Sequence, residues 1–224
     1  MKKSVLMILC LALFSSCSQK YCKNYAGRPY TDDKHKMPIQ LIPGGIQCEF
    51  YDMGGEGVSF HDSDSTNLGS GVLNPADGSY LNEFRKHEAV DISYTKSGGI
   101  DDSPHNLIEP KMNQLYLGWT QPGEWTNYTV DVKRKGLYQI GLMYTANQNA
   151  EISLSINNKS KTGPLSIPST YASADTIEWR QWHHWNFLES ISLLELKKGK
   201  QVLTLRIVST GQMNLDYLMF KRLD

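Results

Sequence analysis

Ile152-Ser153-Leu154-Ser155-Ile156 alternates apolar and polar residues without a break. In a strand such a run sends its aliphatic side chains to one face and its serines to the other, as a sheet with one buried and one solvated side requires. Thr129-Val130-Asp131-Val132 repeats the pattern upstream. Outward from these two, further strand-like runs are separated by Gly, Pro and Asn clusters. They are Ile46–Tyr51, Gly57–His61, Ala89–Tyr94, Leu115–Trp119, Trp125–Val132, Leu137–Thr145, Glu151–Asn157, Leu165–Pro168, Val202–Val208 and Asn214–Phe220. Many short strands with turn signals between them predict an all-β chain, an antiparallel β-sandwich. Asn186–Leu196 fits two periods. Phe187, Leu188, Ile191 and Leu194 make a helical stripe, while Ile191, Leu193 and the Lys197–Lys200 turn suit a strand; neighbouring strands favour the latter.

The chain has 224 residues, enough for one domain with a sizeable core once its first segment is set aside. Lys plus Arg and Asp plus Glu both number 23, so charge gives no reason to expect nucleic acid as a partner. Lys2 and Lys3 precede the apolar run Val5–Phe14, which is too short for a membrane span and has the layout of a secretory signal over residues 1–16. Leu13-Phe14-Ser15-Ser16-Cys17 resembles a bacterial lipoprotein box, with Phe14 where Leu is usual. That resemblance implies lipidation at Cys17 and an exported protein tied to a bacterial membrane, periplasmic or at the cell surface; ordinary signal-peptidase cleavage is the alternative. Residues 17–44 hold Pro29, Pro38 and Pro43 without a sustained period and read as a tether and lead-in, leaving 45–224 as the domain. A Cys22–Cys48 disulfide and a buried free thiol at Cys48 are both compatible with the sequence.

The closing run Asn214-Leu215-Asp216-Tyr217-Leu218-Met219-Phe220 holds a carboxamide and a carboxylate inside an apolar strand, where an unpaired polar group costs about 1–3 kcal/mol. Either they bond within the fold, or they meet a ligand and a metal. His183-His184 reads as structural because adjacent strand positions point apart, and Asp62–Asn67 as a polar turn lacking the spacing of a calcium loop.

Four stretches in register carry a resemblance: Ile46–Asp52 with Gly54-Gly55-Glu56-Gly57-Val58, Phe84-Arg85 with Glu88–Ile92, Gly118-Trp119 with Gly123–Tyr128, and Asn214–Tyr217. Together they resemble carbohydrate-binding modules of families 6 and 35. The resemblance implies a jelly-roll sandwich that binds poly- or oligosaccharide and does no chemistry, acting as a monomer that meets the membrane only through its anchor. It implies Trp179 as the sugar platform with Trp182 packed inward, Phe84 as a second aromatic wall where Tyr is commoner, and Asn214 as the polar contact. An amide both donates and accepts, which suits vicinal hydroxyls. It further implies a structural calcium ion on Gln47, Glu49 and Asp216, with Gln47 where Glu is usual. Residue geometry alone allows at most one of Trp179 and Trp182 in the core, because positions three apart in a strand face opposite sides.

Two rival classes remain. A small glycoside-active enzyme needs two carboxyls about 5–9.5 Å apart across a cleft, and Glu88, Asp175 and Glu178 are its candidates. The sequence shows neither a Gly-x-Ser-x-Gly elbow nor a His-Glu-x-x-His metal site. A protein-binding adhesive or assembly sandwich would present a broad flat apolar patch instead of a cleft.

Overall fold

The computed structural model describes residues 22, 24–36, 39–209 and 211–223; the expected signal and Cys17 lie outside them. Six strands precede the long central ones: β1 (Gln40–Ile42), β2 (Gly44–Gln47), β3 (Phe60–His61), β4 (Ile92–Tyr94), β5 (Leu115–Leu117) and β6 (Trp125–Val132). Then come β7 (Gly136–Ala146), β8 (Ala150–Ile156), β9 (Lys159–Ser160), β10 (Leu165–Ile167), β11 (Asn186–Leu196), β12 (Gly199–Ser209) and β13 (Met213–Arg222). One sheet is ordered β1-β6-β12-β8-β10, with β3 also on β6 and β9 on β8. The other is ordered β11-β7-β13-β5-β4, with β2 also on β13. The fold is the antiparallel sandwich that the alternation predicts, apart from a parallel pairing of β1 with β6.

Ile152, Leu154 and Ile156 of β8 are buried and join the core with Ile140 and Leu142 of β7, Leu205 of β12 and Leu218 of β13. Buried tyrosines find partners for their hydroxyls: Tyr128 donates to Cys48 O at 3.0 Å, Tyr138 to Arg134 O at 2.7 Å and Tyr144 to Pro168 O at 2.9 Å. A second, smaller apolar cluster of Tyr116, Met143 and Trp185 is separate from that core.

Two bulges explain residues whose period was mixed. The register of β11 against β7 shifts between Leu188 and Ser192. The extra residues let Leu188, Ile191 and Leu194 all reach the core from a strand, although their spacing mimics a helix. In β13 the register shifts between Leu215, opposite Tyr144, and Tyr217, opposite Met143. Asp216 is the unpaired residue, so Leu215 and Leu218, three apart, both enter the core.

Two expectations are corrected, and the open alternative for the cysteines is settled. The described part of residues 17–44 is not a tether: Arg28 and Met53 exchange backbone hydrogen bonds at 2.9 and 2.7 Å, and Tyr30 stacks on Phe50 at 5.7 Å between ring centroids. Burial of Tyr30 and Ile42 in the core draws this segment in, so the packed unit begins before residue 45. The strand expected over Ile46–Tyr51 stops at Gln47, and Cys48–Phe50 form a 3-10 turn that buries Glu49 instead of exposing it. Cys22 and Cys48 are both buried and both free thiols. Among the described residues no helix is long and apolar enough to cross a membrane.

Candidate functional site

The connection from β10 to β11 is held by its own ion pair. Arg180 Nε and Nη2 reach the two Asp175 oxygens at 2.6 and 2.9 Å, and His184 Nε2 lies 2.9 Å from Asp175 Oδ2. The Arg180 guanidinium, working against burial and helped by His184, holds the Asp175 carboxyl well below the usual carboxylate range. Arg180 Nη1 also donates to Gly99 O and so ties this connection to the one between β4 and β5. Within it Glu178–Arg180 form a 3-10 turn, continued by helical dihedrals at Gln181 and a His183 N–H to Arg180 O bond of 2.9 Å. Residues three apart eclipse in such a turn. Trp179 and Trp182 therefore face the same way.

Both line one cleft of about 410 Å³, with Trp119, Tyr116, Lys96 and Asn214 among the other walls. Trp179 is 54% exposed, an unusual state for so large an apolar side chain. Trp119 sits at φ +49°, in the left-handed region that aromatic residues seldom enter. Its neighbours hold it there. Gly118 N–H donates to Asp91 O at 3.0 Å, and the Thr120 hydroxyl both donates to Met213 O and accepts from Met213 N–H at 3.2 Å.

Beneath the indoles lies a polar floor. Asn214 Nδ2 donates to Thr145 Oγ1 and to His183 Nδ1, each at 3.0 Å. With Nδ1 accepting, His183 carries its proton on Nε2 and donates to Asp101 Oδ1 at 2.6 Å, where Trp185 Nε1 also donates at 2.7 Å. Both amide protons of Asn214 thus serve the fold, which leaves Oδ1 as the atom able to meet a ligand, and only as an acceptor. A Cβ on Gly118 would stand 3.0 Å from that oxygen, so glycine keeps the approach open.

Of the expected ligand residues, the structure brings Trp179 and Asn214 together and removes Phe84. Phe84 is 3% exposed, packed at 5.4 Å from Tyr30, 5.8 Å from Phe50 and 5.3 Å from Tyr80, and it lines no part of the cleft. An aromatic core formed with the N-terminal segment takes it inward. Trp182, expected inward, is in the wall because the backbone turns there rather than extending; the fully buried tryptophan is Trp185. Trp119 and Tyr116 went unidentified as walls: Leu115–Trp119 read as a strand and Gly118-Trp119 carried part of the resemblance, but neither signal assigned these side chains to a cleft.

The carboxyls proposed for hydrolysis do not face one another across the cleft. Glu88 pairs with Arg85 at 2.8 Å, Asp175 with Arg180, and Glu178 is exposed; none of the three lines the cleft, whose single carboxylate among the described lining residues is Asp101.

Gln47, Glu49 and Asp216 do converge. Gln114 Nε2 donates to Gln47 Oε1 at 2.8 Å and to Glu49 Oε1 at 3.2 Å. Glu49 Oε2 and Asp216 Oδ1 are buried without a hydrogen-bond partner. Burial, followed by the charge of Asp216, pushes the Glu49 carboxyl well up, and burial pushes Asp216 up to about 7. Two orphaned carboxylate oxygens in each other's field, beside an amide oxygen, fit a hard cation. Among the described residues no group of three or more His, Cys, Asp or Glu is disposed to hold a metal, so any cation here rests on two carboxylates and amide or carbonyl oxygens.

Comparison with known proteins adds a family. The model of carbohydrate binding module family 6 matches residues 90–222. Comparison with curated proteins gives no match. Among solved structures, a family 6 module from Clostridium stercorarium in complex with cellobiose is 12% identical, over 82% of this chain and 97% of that one, with a TM-score of 0.47. A module from the Cellvibrio mixtus lichenase 5A in complex with cellotriose is 16% identical, over 81% and 98%, with a TM-score of 0.45. A β-1,3-glucan-binding family 6 module from Bacillus halodurans is 14% identical, over 82% and 98%, also at 0.45.

Proposed function

The chain belongs to carbohydrate-binding module family 6, and from that premise we propose that it holds a saccharide in the Trp179 cleft without cleaving it. The observation that carries this reading is the exposed indole of Trp179, held rigidly beside Trp182 and Trp119 above an amide oxygen. A pyranose offers an apolar C–H face that lies against an indole, and its rim hydroxyls donate to an acceptor such as Asn214 Oδ1. The aromatic walls are Trp179, Trp182, Trp119 and Tyr116; Phe84 has no part in them. Asp101, the single carboxylate among the described residues that line the cleft, supports binding over hydrolysis, which uses two. Its concavity favours a glycan over the flat contact of an assembly subunit.

Gln47, Glu49 and Asp216 would hold a structural calcium ion, which when bound supplies positive charge to two buried carboxylates and ties the Cys48–Phe50 turn to β13. Export and a lipid anchor at Cys17 rest on the sequence of the first seventeen residues.

Binding at such a site falls at about 1 mM to 1 μM, roughly −4 to −8 kcal/mol. Trp179→Ala should abolish retention on a cognate polysaccharide gel while its melting temperature stays at the wild-type value, since an exposed side chain adds little to the core. Retention equal to wild type would remove Trp179 from the site.

A further inference from the structure

The cleft contains a cation that a neutral sugar does not require. Lys96 lines it beside Ser93, and its Nζ donates to Asn74 Oδ1 at 2.7 Å and to Ser93 Oγ at 3.3 Å while standing 4.3 Å above the centre of the Tyr94 ring. An ammonium has three protons, and these neutral oxygens engage two. None of the ion pairs among the described residues includes Lys96. The carboxylate that shares the wall, Asp101, is turned to other donors. Its Oδ1 accepts from His183 and Trp185, and its Oδ2 accepts the backbone N–H of Lys96 at 2.7 Å. Burial lowers the Lys96 pKa, with the Asp101 field acting in the opposite sense.

Asn74 strengthens the point. It is fully buried, and its Oδ1 accepts from both Lys96 Nζ at 2.7 Å and Ser93 Oγ at 3.2 Å, so the amide fixes the ammonium and the hydroxyl beside it. The fold thus keeps a positioned, partly desolvated charge without a contacting counter-ion, in the same cleft as the indoles.

We propose that the cleft takes an acidic saccharide unit, whose carboxylate or sulfate oxygen accepts the remaining proton of Lys96 Nζ. The inference rests on the glycan-binding reading above and adds the ligand's charge class to it. A ring that covers the cleft strips water from the ammonium. A neutral hydroxyl compensates that loss poorly, whereas an anion replaces the water with a charge-assisted hydrogen bond. Discrimination therefore comes from the penalty on neutral sugars as much as from the attraction of acidic ones.

The test uses the full chain on arrayed oligosaccharides in matched sets, each backbone present as the neutral hexose, its C6 uronate and its 6-O-sulfate, at low and high salt. Wild type should hold the uronate or the sulfate roughly tenfold more tightly than the neutral member, with the margin shrinking as salt rises. Whichever arm is held identifies carboxylate or sulfate as the group. Lys96→Met should bring the acidic member down to the neutral level, and Lys96→Arg should preserve the preference. Equal wild-type affinity for neutral and acidic members, or a Lys96→Met loss shared by both, overturns the proposal. Should the methionine variant fail to melt cooperatively, the wild-type ratio and the arginine variant decide alone. Retention that is sensitive to Trp179→Ala but blind to ligand charge sinks this inference and leaves the glycan reading standing. No retention on any member, for wild type and Trp179→Ala alike, removes both.

Discussion

Asp91 shows how single residues around the cleft trade stability for position. Its backbone oxygen receives Gly118 N–H and so steadies the Trp119 turn, while its side chain accepts Leu68 N–H at 2.5 Å. Burial, opposed by the Leu68 bond and reinforced by the charges of Asp62, Asp64 and Glu124, pushes the carboxyl up to about 7. A carboxyl raised above its unfolded value of about 4 contributes stability fully below that value and loses it as pH rises through 7. Asp91→Asn keeps an acceptor for Leu68 and removes the titration. The rise integrates to about 3 kcal/mol between pH 4 and pH 7, and solvent screening of this partly accessible carboxyl reduces it. Relative to this variant, wild type should therefore lose roughly 1–3 kcal/mol, several degrees of melting temperature, over that range. Parallel melting curves for the two proteins across that range would refute the assignment. Trp119 is the complementary case, a residue strained by about 1–3 kcal/mol and kept so by bonds on both sides.

At the scale of elements, the β10–β11 connection is a rigid arm built from a buried ion pair rather than from regular structure. Arg180→Gln should loosen Trp179 and Trp182 together and weaken glycan retention by about tenfold, a loss near 1.4 kcal/mol. Isothermal titration of the variant checks this, and unchanged affinity would mean that the indoles are positioned by something else. This connection also marks where the sequence stops being legible. Strands whose alternation is regular, such as Ala150–Ile156, are readable residue by residue, because period-2 burial is written into their composition. Trp179 and Trp182 are readable as a pair but not as a wall, since the side they share follows from a turn that Asp175, Arg180 and Gly99 assemble across the fold. Phe84 fails for a related reason. A motif supplies its neighbours in sequence, whereas Tyr30, fifty-odd residues upstream, decides its burial. Asn214 and Asp216 are legible as anomalies, and their separate destinations are set by a bulge that composition does not encode.

For the whole molecule, the proposed cation matters to stability more than to ligand choice. Calcium that binds the native state alone raises its stability by RT ln(1 + [L]/Kd), about 2.7 kcal/mol at a hundredfold excess over Kd. Addition of a chelator should therefore lower the melting temperature by several degrees, with calcium but not sodium restoring it. A melting curve indifferent to chelation would leave Glu49 and Asp216 to be explained by protonation alone.

The single unpaired residue in β13 has a broader consequence. It works as a phase shifter in the strand: before it, alternate side chains are dealt to ligand and core in one order, and after it in the reverse order. Excising Asp216 would rotate every later position by half a period, pushing Leu218 and Phe220 toward water while Asn214 stayed where it was. Recognition and solidity in this protein are thus dealt from one deck, and evolution cannot reshuffle either hand without disturbing the other.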